Sequence, residues 1–432
     1  GAMMGTMRCD HPDIEDFIEV KRDKTKFRMF NLSVLITDAF MEAVKTDSMW
    51  ALVFNGQVYK TIRATDLWEK IMFSTYTFAD PGCLFIDQIN IRNNLKYCEL
   101  ISATNPCAEV PLPPYGACLL GSVNLALIVE NPFTDKAKIN QDKLRHIVTV
   151  GVRLLDNVME VSKYPLKEQY DEAQAKRRIG IGVTGLADML TMMSLKYSSE
   201  EGRILVDQVM AKLAEYAYMA SVGLAIEKGP FPLFDAEQFV PDVPLPSYVL
   251  DMIRIHGIRN SHLLSIAPTG TISLYANNVS SGIEPIFAIS YERKILEDTG
   301  TYREEEVEDY AVHLFRKMFP NCTLPDTFET AQTLKPRDHI LMQAVVQKYV
   351  DQSISKTVNC PKDISYDDFK DLYRLAYDLG CKGCTTYRPN EYTGAILSAS
   401  DESTGVDDTR PVDDVPEGAA CTYDATTGRC DQ

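Results

Sequence analysis

Long stretches of helical periodicity alternate with short apolar runs along most of this chain, and that alternation confines it to a mixed α/β architecture. Over residues 141–163 apolar side chains recur at helical spacing, with Leu144, Ile147, Val148, Val152, Leu155 and Val158 marking one face of an amphipathic helix. A second helix is predicted to start at Ser198, where Glu201 three residues on completes a capping-box pattern, and to stop near Gly229. A third opens at Ser365 and ends before Gly380, a glycine suited to the position just past a helix end. Between them, residues 51–54, 179–183, 263–266 and 286–290 read as strands.

With 432 residues, 45% of them hydrophobic, the chain can bury one large core or two moderate ones. Its net charge of -17 argues against non-specific nucleic-acid binding, which needs clustered Lys and Arg, yet leaves room for one polyanionic ligand held by backbone amides. Eleven cysteines, with no regular framework and no signal peptide before them, point to a reducing compartment and mostly free thiols. No apolar run reaches the roughly 20 residues that span a bilayer, so a soluble, cytoplasmic protein is expected, with no membrane partner. Between Ser400 and Gln432 nine acidic residues face two basic ones, with almost no large apolar side chains. A stretch that cannot offset its ordering entropy by burial is predicted to be a flexible tail, 397–432, following a folded portion, 1–396.

Chemistry concentrates around Cys107, in the run Asn105-Pro106-Cys107-Ala108-Glu109 that continues to Cys118. If this segment is extended, Asn105, Cys107 and Glu109 share a face, and Pro106 stiffens it. A thiol between a hydrogen-bond donor and a potential general base suits a hydroxyl-bearing substrate; a buried structural cysteine is the alternative. Pro268, Thr269, Gly270, Thr271 and Ser273 follow the 263–266 run, where small and hydroxyl residues form either a phosphate-holding backbone nest or an ordinary turn. Gly180, Gly182 and Gly185 fit the dinucleotide fingerprint, but Lys176-Arg177-Arg178 leave a poor strand before them, so a tight strand-to-helix junction is favoured. Cys381 and Cys384 form a C-x-x-C without a second ligand pair, which reads as two thiols at a helix-end turn rather than a metal site. Cys421 and Cys430 are either incidental or a mobile dithiol able to exchange electrons with a disulfide elsewhere. Cys9, Cys83, Cys98, Cys322 and Cys360 show no partner pattern and read as structural.

Taken together, these pieces resemble ribonucleotide reductase, specifically the adenosylcobalamin-dependent class II large subunit. The resemblance is carried by Gly1-Ala2-Met3-Met4 with Arg8-Cys9-Asp10-His11-Pro12, the Asn105 to Cys118 segment with Asn124, the Gly180 to Asp188 stretch, Ala267 to Pro285, Ser355-Lys356-Thr357-Val358-Asn359, and Gly383-Cys384-Thr385-Thr386-Tyr387-Arg388. It implies a ten-stranded α/β barrel with a central finger loop, of which only the later strands lie in this chain. It also implies that Cys107 becomes a thiyl radical abstracting the 3′-hydrogen of the ribose. Glu109 would take the 3′-hydroxyl proton, Asn105 would bond the same region of the sugar, and Cys118 would be one of two thiols that reduce the 2′-carbon. Pro268, Thr269, Gly270, Thr271 and Ser273 would hold the substrate phosphates, and Cys421 and Cys430 would shuttle electrons from a thioredoxin-like reductant.

Two departures qualify this. The family's segment before Gly1, with its first barrel strands and the second reducing cysteine, is expected from an upstream portion in the same or a separate polypeptide, and the chain alone is expected to be inactive. Eight residues also separate Cys421 from Cys430, where a tighter pair is common. The substrate would be a ribonucleotide, a diphosphate by preference, and a homodimer is compatible with the resemblance. The competing readings are a class I-type subunit fed by a diferric partner, a plain dithiol oxidoreductase, and a non-catalytic nucleotide-binding remnant. Against class I, Thr385-Thr386-Tyr387 stands where paired tyrosines would be expected.

Overall fold

A computed structural model describes residues 1–23, 26–296 and 302–389, with the short segments 422–424 and 429–431. Three parallel strands, β1 (Met3–Arg8), β2 (Phe30–Ile36) and β3 (Gly82–Phe85), pair in that order. A short antiparallel hairpin follows, β4 (Ala103–Thr104) with β5 (Pro111–Leu112). Next, β6 (Leu119–Asn124) and β7 (Ile179–Thr184) pair in parallel, Leu119 opposite Ile179. Finally, β8 (Thr357–Asn359) and β9 (Gly383–Tyr387) run parallel to each other, and β9 lies antiparallel to β3.

Two single parallel bridges join these sets: Ile181 of β7 with Leu264, and Ile266 with Ile354, three residues before β8. The strand order is therefore β1, β2, β3, β9, β8, the 263–266 stretch, β7, β6. The first three run one way and the other five the opposite way. Among the described residues no ring of strands closes, and β1 and β6 stand at the outer edges.

Strand alternation separates the two faces of the first set. Val34, Ile36, Cys83 and Phe85 enter one apolar core, while Leu35 and Leu84 face the other way and form a small cluster with Ile86, Ile89 and Ile101. The second set is packed by a larger core to which β6, β7 and the long helices contribute.

The predicted first helix is α1 (Gln141–Val161), capped by Asn140, whose side-chain oxygen accepts from Lys143 N at 2.8 Å. The glycine fingerprint proves to be a packing device. A Cβ on Gly180 would lie 2.6 Å from Leu120 Cδ2, and one on Gly182 would lie 2.4 Å from the Ser265 carbonyl oxygen, so β7 needs glycine to fit between its neighbours. Gly185, at φ 71°, turns the chain directly into α2 (Leu186–Met192), as the junction reading required.

The next helix, α3 (Glu200–Lys228), begins one residue later than predicted, because Ser199 rather than Ser198 caps it through Gly202 N. Ser198 instead gives its N–H and hydroxyl to Glu329. By length and composition α3 could cross a membrane, contrary to the reading of the apolar runs, but 67% of its apolar window is buried in the protein and it serves as a core helix. The last predicted helix is α4 (Tyr366–Asp378), capped by Ser365 and followed by Gly380 at φ 77°.

Two predicted strands fall outside the main sheet. Residues 51–54 belong to Met49–Phe54, half of a largely exposed hairpin with Gln57–Arg63. In 286–290, Ile286 makes one bridge to Thr330, and Ser290 begins a separate strand, Ser290–Leu296.

Candidate active site

β4 and β5 form the stem of a finger whose tip is residues 105–110. The tip is a tight turn stitched by Asn105. Its N–H donates to Val110 O at 3.2 Å, its carbonyl accepts from Ala108 N at 3.0 Å, and its side-chain oxygen accepts from Val110 N at 2.9 Å. Ala108 takes a left-handed φ of 67° to close the turn. The segment is therefore not extended, and strand alternation does not place Asn105, Cys107 and Glu109 on one face. The turn groups them instead: Cys107 stands exposed at the tip, Glu109 is buried, and the Asn105 side chain hydrogen-bonds the Glu109 carboxyl.

Both sets of strands hold this finger. From the first set, Asn31 of β2 donates its amide to Pro106 O at 2.8 Å, and Ala108 packs on the small cluster of Leu35, Leu84, Ile86, Ile89 and Ile101. From the second, Ser353 N at 3.0 Å and Ser265 Oγ at 2.8 Å both donate to Glu109 O. Residues 351–353 are fixed in turn by the buried ammonium of Lys382, which donates to the carbonyls of Asp351 and Gln352 at 2.6 Å each. A tip clamped at both ends is preorganised and has little freedom left to lose on binding a ligand.

Burial raises the Glu109 pKa above the ordinary carboxylate range, against the Asn105 hydrogen bond that favours the ion, and Glu109 Oε2 has no partner among the described residues. The Cys107 thiol is pushed up by partial burial and by the Glu109 charge. A base of raised pKa near an exposed thiol is suited to moving a proton from a hydroxyl group.

Cys118 lies immediately before β6, half-buried, with its sulfur 3.7 Å from Leu119 O. Burial pushes its thiol up to about 12, opposed by the Arg178 charge and the Gln352 side chain and reinforced by the charges of Asp351 and Glu109. The Glu109 charge thus raises the pKa of both thiols.

Along β6, Leu120, Gly121 and Ser122 line a cavity of about 310 Å³ whose other wall is Ala267, Pro268, Thr269, Gly270, Thr271 and Ile272. That volume reaches the lower range of small-ligand pockets. Gly270 and Thr271 are exposed in it, and their backbone N–H groups have no partner among the described residues. Thr269 and Ser273, by contrast, are buried. The Thr269 hydroxyl oxygen accepts from Gly282 N at 2.7 Å and bonds Thr184 Oγ1 at 3.0 Å, while Ser273 Oγ bonds Gly270 O and Ser281 Oγ. These hydroxyls shape the loop, leaving its backbone to face the cavity.

Cys381 and Cys384 are free, buried thiols; Cys381 stands in the turn after α4, as the spacing predicted, whereas Cys384 lies within β9, opposite Cys83 of β3. No group of three or more His, Cys, Asp or Glu among the described residues could hold a metal ion. Cys421 lies outside the described residues. Cys430 sits in the short strand Arg429–Asp431, its backbone opposite Tyr423. The second set of residues that position the finger, Asn31, Ser265, Gln352, Ser353 and Lys382, carries no sequence signal, because each acts through contacts far away in the chain.

A family model described as the ribonucleotide reductase barrel domain matches residues 1–387. A vitamin B12-dependent ribonucleoside-diphosphate reductase of Mycobacterium tuberculosis (strain CDC 1551 / Oshkosh) is 36% identical over 420 residues, covering 93% of this chain and 58% of that protein. The protein of the same description from Thermoplasma acidophilum is 36% identical over 426 residues, covering 94% and 53%. A ribonucleoside-diphosphate reductase subunit alpha of Chlamydia pneumoniae is 26% identical over 468 residues, covering 90% and 44%. The chain thus spans about half the length of the curated relatives it matches. On a match that runs from the first strand through β9, this chain belongs to the ribonucleotide reductase barrel-domain family.

Proposed function

We propose that the chain supplies the thiyl-radical centre, one reducing thiol and the phosphate loop for reduction of ribonucleoside diphosphates to 2′-deoxyribonucleotides. The observation that carries this reading is the finger itself: Asn105, Cys107 and Glu109 gathered on one turn, clamped between oppositely directed strand sets, within electrostatic reach of Cys118. The relatives' names supply the substrate class and the vitamin B12 dependence.

In this reading Cys107 takes the 3′-hydrogen and returns it to C3′ at the end of the turnover, regenerating the thiyl. Glu109 accepts the 3′-hydroxyl proton and gives it back as the 3′-hydroxyl re-forms, and Asn105 orients both the sugar and the Glu109 carboxyl. The 2′-hydroxyl leaves as water, and the two electrons for the 2′-carbon come from Cys118 and a second thiol, which end as a disulfide. The exposed backbone of Gly270 and Thr271, with Pro268, would cradle the phosphates, and Thr269 and Ser273 would keep that loop in shape. The exposed position of Cys107 fits radical initiation from outside the finger. Adenosylcobalamin, when bound, supplies the radical equivalent that converts the Cys107 thiol to a thiyl.

The unpaired outer edges of β1 and β6 support a further part of the reading: strands from an upstream portion, in the same or a separate polypeptide, complete a ten-stranded barrel and bring the second reducing cysteine. Cys421 and Cys430 would return electrons from a thioredoxin-like dithiol. The test is product formation from a nucleoside diphosphate by the chain together with that portion, adenosylcobalamin and a dithiol. Cys107→Ser and Cys118→Ser should each abolish turnover; sustained turnover by either variant would remove that cysteine from the mechanism.

A further inference from the structure

We propose that Arg178 is a positioning residue for the reducing thiol Cys118: its buried guanidinium stands beside the sulfur and stabilises the thiolate that forms when a disulfide to Cys118 is opened. The inference rests on the reading of Cys118 as one half of a reducible disulfide.

The placement follows from strand register. Leu119 and Ile179 are the first paired residues of the parallel strands β6 and β7, so Cys118 and Arg178 each stand one residue before the pair, at the same level. Register partners in a parallel ladder direct their side chains to the same face. Arg178 is buried, with a side chain 2% exposed. Its Nη2 reaches Glu99 Oε1 at 2.5 Å, and its Nη1 lies 3.7 Å from Glu172 Oε1. Its Nε–H has no hydrogen-bond partner among the described residues. A buried guanidinium donor left unpaired is costly, so a fold that keeps one beside a redox sulfur invites a functional explanation. Glu99 does not depend on Arg178 alone, since Lys176 at 2.8 Å and the Asn93 amide at 2.9 Å also serve its carboxylate.

The charged and titratable groups whose influence reaches Cys118 include Arg178 immediately before β7, Asp351 from the segment before β8, Glu109 from the finger, and Tyr164 beyond α1. Arg178 is the cation of this set and the largest influence opposing burial of the thiolate. In thiol–disulfide exchange, the thiolate of a dithiol reductant bonds to the sulfur joined to Cys118. The old S–S bond breaks, and its electron pair leaves on Cys118, which then takes a proton from water. The reductant's second thiol closes its own disulfide, so two electrons pass from the dithiol to the protein. A cation beside the leaving sulfur speeds this step, because leaving groups of lower pKa depart faster.

The test is the rate of Cys118 alkylation by iodoacetamide in the reduced full chain, followed by peptide mass spectrometry from neutral to alkaline pH, with Cys107 as internal control. Arg178→Gln should slow Cys118 about tenfold at a given pH and move its profile upward by about one unit, while Cys107 stays within about twofold. Arg178→Lys should retain most of the rate. Where Arg178→Gln alone does not fold, Arg178→Gln with Glu99→Gln removes the whole ion pair and should remain slower than Glu99→Gln alone. An unchanged Cys118 rate and profile in a folded Arg178→Gln or doubly substituted chain overturns the proposal, as does a Lys variant as slow as Gln. Failure of the underlying reading is distinguishable: turnover by Cys118→Ser would remove the thiol from the reaction without altering what alkylation reports about Arg178.

Discussion

At the scale of residues, the site depends on how one buried acid, Glu109, is placed near two thiols. Glu109 must be ionised to accept a proton, and burial raises its pKa. The acid limb of the pH–rate profile should therefore lie above the ordinary carboxylate value near 4.3. Replacing Glu109 with Gln should remove this limb and lower kcat by about 10²–10⁴-fold, whereas an acid limb at the ordinary value would assign the base elsewhere. Cys107, Glu109 and Asn105 were legible in sequence because they stand within five residues of each other. Arg178, Ser265 and Ser353 were not, since each meets the site only through strands distant in sequence. The extended finger was misjudged for a local reason: Ala108 adopts a left-handed turn that nothing in its type announces.

Among elements, helices were the readable class and buried strands were not. Periodicity and caps located α1 and α4 and the end of α3, and the error at Ser198 arose because the next serine takes the cap while Ser198 bonds Glu329. β3, β8 and β9 are only three to five residues long, and β3 and β9 carry Cys or Thr at buried positions, so neither strict alternation nor a continuous apolar run marks them. β7 was found, and its glycines explain themselves once its neighbours are known. Gly182→Ala would drive a methyl group into the Ser265 carbonyl at 2.4 Å. Unfolding in denaturant should show a loss of at least about 2 kcal/mol for this variant; a stability equal to the parent chain would mean that β7 is not held between β6 and the 263–266 stretch.

For the whole molecule, the decisive arrangement is the opposition of the two strand sets around one finger, and this order could not be read from the chain because it is set by pairings between remote segments. The same compactness buries two neutral histidines. His339 is pushed down to about 2 by burial and by Lys356, and His262 falls well below its ordinary value. Below about pH 6.5 the unfolded chain takes up protons that the folded chain refuses. Stability from these groups is therefore complete above that pH and declines as pH falls, by about 1.4 kcal/mol per unit for each fully depressed group. His339→Gln should flatten the fall of Tm between about pH 6.5 and about pH 5 relative to the parent; parallel curves would show that His339 titrates normally.

The central claim is that the Cys107 sulfur removes the 3′-hydrogen of a ribonucleotide on this finger. It is tested most directly by the 3′-tritium isotope effect on product formation from a 3′-tritiated nucleoside diphosphate, using the chain with the upstream portion, adenosylcobalamin and a dithiol. Discrimination against the tritiated substrate, and no turnover by Cys107→Ser, is the predicted result. Deoxyribonucleotide formed without 3′ isotope discrimination, or formed by Cys107→Ser, would contradict it.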